Sequence, residues 1–232
     1  MQKKKATEVI GAANLYELLP KEQISSVFLK DSRECIFGLN TETATGHFLT
    51  YEDYYYMYGT LDSSSGPVYV MTSSLAGAFE PGDLRKTAWT GTFNFDGTDY
   101  FYSSKYKSID GTLSAMEYSV VLRLSEIYLI RAEARAMQNN TANAKDDLNA
   151  IRRRAGLADA DPSSQSAVED AVIQEKRVEL FLEYGNRWFD LKRTKRADAV
   201  LGALKPGNWQ SSDALYPVPL DEIKKSASVN TK

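Results

Sequence analysis

The stretch YSVVLRLSEIYLIRAEARAMQNNTANAKDDLNAIRRRAG, Tyr118–Gly156, decides the fold. Val120, Leu124, Ile127, Tyr128 and Ala132 recur at i, i+4, i+7 and i+8, which places them on one face of an α-helix. Asn139 and Asn140 interrupt the pattern, and Thr141 is expected to cap a second helix. Its apolar stripe is Ala144, Leu148, Ile151 and Ala155, and Gly156 suits a helix C-terminus. Two amphipathic helices joined by so short a turn pack antiparallel.

Further along, LADADPSSQ is a polar loop, and Ser166 with Glu169 suits a capping box for a third helix. That helix carries Val168, Val172, Ile173, Leu180, Phe181 and Tyr184, and is expected to end at Gly185. Asn186 is expected to cap a fourth helix running through Leu191, Ala197, Val200, Leu201 and Leu204. The joint between them, EYGNRWFDLKR, Glu183–Arg193, then reads as a tight corner with its aromatics inward and its charges bridging the two helices. Two hairpins in succession, each about forty residues long, resemble tetratricopeptide packing.

Before Tyr118 the texture changes. A helix is expected over Ala6–Leu18, ended by Pro20, then a helical turn around Glu22–Leu29 and a buried strand in ECIFGL. GPVYVMTS, TAWTGTFNF and DYFYSSKY alternate aromatic or β-branched residues with small polar ones and read as short strands, with Trp89 in the core. The expectation is a mainly α single domain over 1–232. It comprises a lead-in at 1–39, a loop-rich layer at 40–118, helical hairpins at 119–204 and an extended segment at 205–232.

The 232 residues are 43% hydrophobic and 25% charged, with a net charge of -3, which offers no basic face for nucleic acid. Cys35 is the single cysteine, so no internal disulfide forms, and its apolar neighbours make it a small core residue. His47 is the single histidine and stands without metal-ligand spacing, so neither a metal site nor a Ser-His-Asp triad is expected. Phosphate-binding glycine motifs are absent, and no cofactor is expected. No apolar run has the length of a membrane span, and the N-terminus is too polar for a signal-peptide core; the chain as given is expected to be soluble.

Two features carry chemistry. Glu175, Glu179 and Glu183 lie at i, i+4, i+8 on one helical face. A glycosidase would use such a face as acid and base. The interleaved Arg177, Arg187, Lys192 and Arg193 favour a structural ion-pair network instead, formed by Glu175, Arg177, Glu179, Glu183, Arg187, Asp190 and Arg193. The run Arg152–Arg154 complements a helix C-terminus. The second feature is YEDYYYMYG, Tyr51–Gly59, with five tyrosines in nine residues. Outward-facing rings suit sugars, because ring faces pack against C–H groups while phenols hydrogen-bond. Tyr54, Tyr55, Tyr56 and Tyr58 are the candidate ligand contacts, with the loop residue Trp209.

RLSEIYLIRAEARA, Arg123–Ala136, AKDDLNAIRRRAGL, Ala144–Leu157, EKRVELFLEYGNRWFDLKR, Glu175–Arg193, and LYPVPLDEI, Leu215–Ile223, resemble the SusD/RagB family of outer-membrane lipoproteins. DSRECIFGL looks like that family's acidic-aromatic strand. GDLRKTAW looks like its Asp-Pro-Arg motif, with Leu84 where proline usually stands. The likeness covers roughly 14–225, and 40–82 aligns with nothing. Family members carry a signal peptide, a lipidated cysteine and N-terminal helical repeats, so the chain is expected to be a C-terminal portion.

The resemblance implies a non-catalytic glycan- or nutrient-binding protein on the extracellular face of the outer membrane. It would pass oligosaccharide to a SusC-like TonB-dependent transporter and be held to the membrane by a lipid anchor not present in this chain. The competing expectation is a helical-repeat scaffold that binds only peptide or protein.

Overall fold

A computed structural model describes residues 2–40, 42–43, 46–47, 50–53, 55–56, 69–107 and 117–225. The chain forms two compact units, Met1–Tyr184 and Gly185–Lys232.

The first unit begins with α1 (Gln2–Gly11), shorter than the expected helix, and a 3-10 turn (Lys21–Ser26). Strand β1 (Cys35–Leu39) follows, then the short pair β2 (Glu42–Thr43) and β3 (Gly46–His47) and a turn of helix, α2 (Tyr51–Asp53). Next come α3 (Ser73–Ala76), α4 (Leu84–Trp89), and the antiparallel pair β4 (Thr90–Phe95) and β5 (Thr98–Ser103). Then follow β6 (Ser119–Arg123), α5 (Leu124–Ala136), α6 (Thr141–Arg154) and α7 (Gln165–Glu179).

The deciding stretch is helical only from Leu124. Ser119–Arg123 is a strand, antiparallel to β1, with Gly38 opposite Val120 and Leu39 opposite Ser119. An apolar run led by Val120 and Val121 satisfies either period, and a partner strand some eighty residues upstream selects the extended form. The β1–β6 pair is half-solvated rather than buried: Phe37 and Leu39 are exposed. Ser73, the last residue of the strand expected in GPVYVMTS, instead opens a helical turn, Ser73–Ala76, capped by the Thr72 hydroxyl.

The hairpin of α5 and α6 has the expected seam. Ala144, Leu148, Ile151 and Ala155 are fully buried, and the first three pack with Leu129, Ala132 and Ala136 of α5 and Val168 and Val172 of α7. Arg131 grips Asp147 through two bonds of 3.0 and 2.7 Å, and Arg135 adds a third at 2.6 Å, tying the two helices together. Helix α1 packs on α5 from the other side.

Two expected N-caps of the first unit lie elsewhere. Asn140, not Thr141, occupies the cap of α6, and Ser164, not Ser166, caps α7 by accepting from the Ala167 amide at 3.2 Å. Gly156 follows α6 at φ +77, and its missing Cβ makes room for Leu84, whose side chain would lie 2.9 Å from it. Leu84 donates its amide to Ala155 O at 3.0 Å, a bond that a proline at this position could not make.

A second core lies beside the helical seam. Phe28, Trp89, Tyr106, Val120, Val178 and Phe181 meet there, with Trp89 wholly buried and its indole donating to Ile24 O at 3.0 Å.

The second unit holds α8 (Asn186–Arg193), α9 (Ala197–Leu204), a 3-10 turn (Ser211–Ala214) and α10 (Leu220–Lys225). The single fourth helix expected through Leu204 is broken at Thr194–Arg196, where Lys195 adopts φ +58. Gly185, at φ +73, takes the cap position of α8 in place of Asn186. Phe189 is exposed, not inward. Among the described residues no helix is long and apolar enough to cross a membrane.

Candidate functional site

Helix α7 ends at Glu179, six residues before Gly185, because the chain turns sharply through Leu180–Tyr184. Leu182 and Tyr184 sit there at φ +56 and +39. Left-handed conformations are strained for side-chain-bearing residues, so something must hold the turn. Lys105 and Arg123 do. Lys105 Nζ donates to the carbonyls of Glu179 and Phe181, both at 2.9 Å, and to the Glu183 carboxylate. Arg123 donates to Glu179 O at 2.7 Å and grips the Glu183 carboxylate with bonds of 2.8 and 2.9 Å.

Glu175 and Glu179 on α7 and Glu183 in the turn are therefore buried and paired. Glu179, fully buried, is bonded by Arg85, Arg123 and Arg154. Glu175 takes Arg85 at 2.6 Å and Arg152 at 3.4 Å. Arg85 is also clamped bidentately by Asp83, at 2.9 and 2.8 Å. Arg177 stands apart from this network: it donates to Ser74, both O and Oγ at 2.7 Å. Arg187, Asp190 and Arg193 belong to the second unit, where Arg193 pairs with Asp190.

The electrostatics follow the pairing. Burial alone would raise the Glu179 carboxyl, but Arg154, Arg123 and Arg85 overcome it and hold it well below the usual range. Glu183 is likewise lowered, by Arg123 and Lys105 against the effect of burial. Burial dominates at Glu175 and Glu34 and raises both. Burial also pushes Lys105 down to about 8, although Glu183 opposes it. Lys105 lies against the rings of Phe181, Trp89 and Phe28, at 3.9, 5.0 and 5.4 Å. A carboxylate held low by three guanidiniums and sealed from solvent makes a poor proton donor and has no access to substrate.

The partners absent from the network expected from the sequence are Glu34, Asp83, Arg85, Lys105, Arg123, Arg152 and Arg154. For two of them a signal existed: Asp83 and Arg85 are the ends of the degenerate Asp-Pro-Arg motif.

A cluster of tyrosines stands at the surface of the same unit. Tyr51 and Tyr55 stack at 6.2 Å and 13°. Tyr69 meets Tyr55 and Tyr56 edge-on, at 6.4 and 6.1 Å. Tyr51 is 79% exposed, and Tyr55 and Tyr69 are each 46% exposed. Tyr69 was not among the candidates, because it stands alone in sequence. Tyr54 and Tyr58 lie outside the described residues. In the second unit Trp209 packs edge-on to Trp188 at 6.1 Å, and its indole donates to Asp198 at 2.9 Å. Among the described residues no group of His, Cys, Asp and Glu is arranged to hold a metal ion.

Comparison with known proteins turns this geometry into a lineage. The model of the SusD family matches residues 80–230. The chain belongs to the SusD family. SusD-like protein P2 of Formosa agariphila is 29% identical over 133 residues, 52% of this chain and 26% of that protein. A SusD homolog of Bacteroides thetaiotaomicron superposes with a TM-score of 0.77 at 22% identity, over 99% of this chain and 53% of that one. Surface glycan-binding protein A of Bacteroides uniformis superposes with a TM-score of 0.68 at 20% identity, over 99% and 55%. The chain thus spans about half the length of these SusD-like structures. Its mainly α, tetratricopeptide-like architecture with minor β structure is that of the SusD fold.

Proposed function

We propose that the chain is the ligand-facing portion of a non-catalytic glycan-binding protein, and that Tyr51, Tyr55, Tyr56 and Tyr69 form its sugar platform. The observation that carries this reading is the exposed tyrosine cluster on a unit whose carboxylates are sealed by cations. Stacked and edge-on rings with accessible faces offer C–H contacts and phenol hydrogen bonds to a sugar without any acid, base or metal. Membership of the SusD family and likeness to a surface glycan-binding protein support the ligand class. On the same reading the full protein sits on the extracellular face of the outer membrane and delivers oligosaccharide to a SusC-like TonB-dependent transporter.

The test is an oligosaccharide panel followed by tyrosine fluorescence. Tyr51→Ala combined with Tyr69→Ala removes the response and leaves the melting temperature unchanged. Unaltered affinity in the double variant would end the platform assignment. Co-purification from detergent-solubilised outer membranes tests the transporter: a β-barrel partner retained through washing is expected, and its absence counts against delivery.

A further inference from the structure

Glu52, Tyr56, Ser103, Lys105, Tyr106 and Leu182 line a cavity of about 10 Å³, which shares Tyr56 with the tyrosine cluster. That is room for about one water or one hydroxyl group. Its polar groups can be followed one by one. Lys105 has three N–H donors, all engaged by Glu179 O, Phe181 O and Glu183, so it has no proton to offer the cavity. Glu52 Oε1 accepts from the Ser119 hydroxyl at 2.6 Å, and Ser119 is in turn 2.6 Å from Tyr184 Oη. Glu52 Oε2 is buried without a hydrogen-bond partner among the described residues. Tyr106 Oη accepts from the Val120 amide at 2.8 Å, and Ser103 Oγ from the Lys105 amide at 3.5 Å, so each hydroxyl keeps its own proton to donate. Tyr106, Ser103 and Lys105 are all buried.

The lining therefore offers one carboxylate oxygen to receive a proton and hydroxyl protons to give. A hydroxyl, which donates once and accepts twice, matches that set. An ammonium only donates. A carboxylate, sulfate or phosphate only accepts, and would meet the charge of Glu52. We propose that this cavity is a single-hydroxyl subsite of the tyrosine platform, which takes a neutral hydroxyl of the bound glycan and rejects uronate- or sulfate-bearing residues there. This rests on the sugar-binding reading above. It also gives the buried charges a purpose: Lys105 and Arg123 hold the strained turn that brings Leu182 to the cavity wall and Tyr184 to Ser119.

The test screens the protein on an array of neutral, uronate-bearing and sulfated oligosaccharides, then titrates the best neutral binder and an anionic counterpart of the same linkage. Neutral sugars bind in preference. Glu52→Gln keeps an oxygen for Ser119 but turns the cavity acceptor into a donor. It lowers neutral affinity by about tenfold, the loss of one charge-assisted hydrogen bond, and narrows the gap to the anionic sugar. Glu52→Asp withdraws the carboxylate while keeping its charge; neutral affinity falls and anions stay excluded, which guards against a folding defect in the first variant. Preferred binding of anionic sugars overturns the proposal. So does unchanged selectivity in both Glu52 variants where Tyr51→Ala with Tyr69→Ala removes binding; the platform then stands and the subsite falls. If Tyr51→Ala with Tyr69→Ala leaves affinity intact, the underlying reading fails and the subsite fails with it.

Discussion

Glu179 is fully buried and bonded to three guanidinium groups, and Glu183 is shared between Arg123 and Lys105. Breaking a buried pair by removing one partner leaves an uncompensated charge, which costs about 3–5 kcal/mol. Arg123→Met takes one partner from each carboxylate and leaves the buried cluster one positive charge short, so thermal or chemical unfolding should show a loss of that size; a loss under about 1 kcal/mol would mean the pairs are not formed. The same residues set an acid limit. Glu179 and Glu183 are held below their ordinary value of 4.5, so the unfolded chain binds protons more readily than the folded one as pH falls below it. Their stabilisation is present above about pH 4.5 and is lost as pH falls through the folded values. Melting temperatures measured from pH 6 to pH 3 should fall, and the Glu183→Gln variant, less stable throughout, should fall less steeply. Parallel curves for the two proteins would contradict this. Glu34 and Glu175, raised by burial, act with the opposite sign and soften the slope.

Among the elements, the best-read was the α5–α6 hairpin. Its seam repeats at 3.6 residues and its partner lies within a few residues of turn, so every contact that matters is local in sequence. Ser119–Arg123 was not legible, because its apolar run fits two periods and its partner strand is remote. The carboxylate face was legible as a face, but its cations were not. Arg85, Arg123 and Arg154 come from α4, β6 and α6 and Lys105 from the segment after β5, and helical spacing sees only neighbours on the same helix. Arg177, correctly spaced for the network, points away to Ser74. The tyrosine cluster was half visible: the run Tyr51–Tyr58 stood out, whereas Tyr69 and Glu52 carried no pattern of their own. At this scale Gly156 joins α6 to α4. Its positive φ and the adjacent Leu84 leave no place for a methyl group. Gly156→Ala should therefore lower stability by about 1–3 kcal/mol in denaturant titration; a neutral result would mean the helix ends differently.

At the scale of the whole molecule, scaffold and surface are made by different residues. The helical seam and the buried charges give the first unit its rigidity, and the exposed rings of Tyr51, Tyr55 and Tyr69 give it a face. The same carboxylates that a glycosidase would need are spent on holding the Leu180–Tyr184 turn. The capture without chemistry that we propose fits a SusD-family protein whose relatives are about twice this chain's length. The most direct measurement is calorimetric titration of the protein with its best oligosaccharide, with reducing ends assayed in the same cell after prolonged incubation. The account predicts saturable binding that Tyr51→Ala with Tyr69→Ala removes, and no new reducing ends. Hydrolysis that Glu179→Gln abolishes in a folded protein would contradict it.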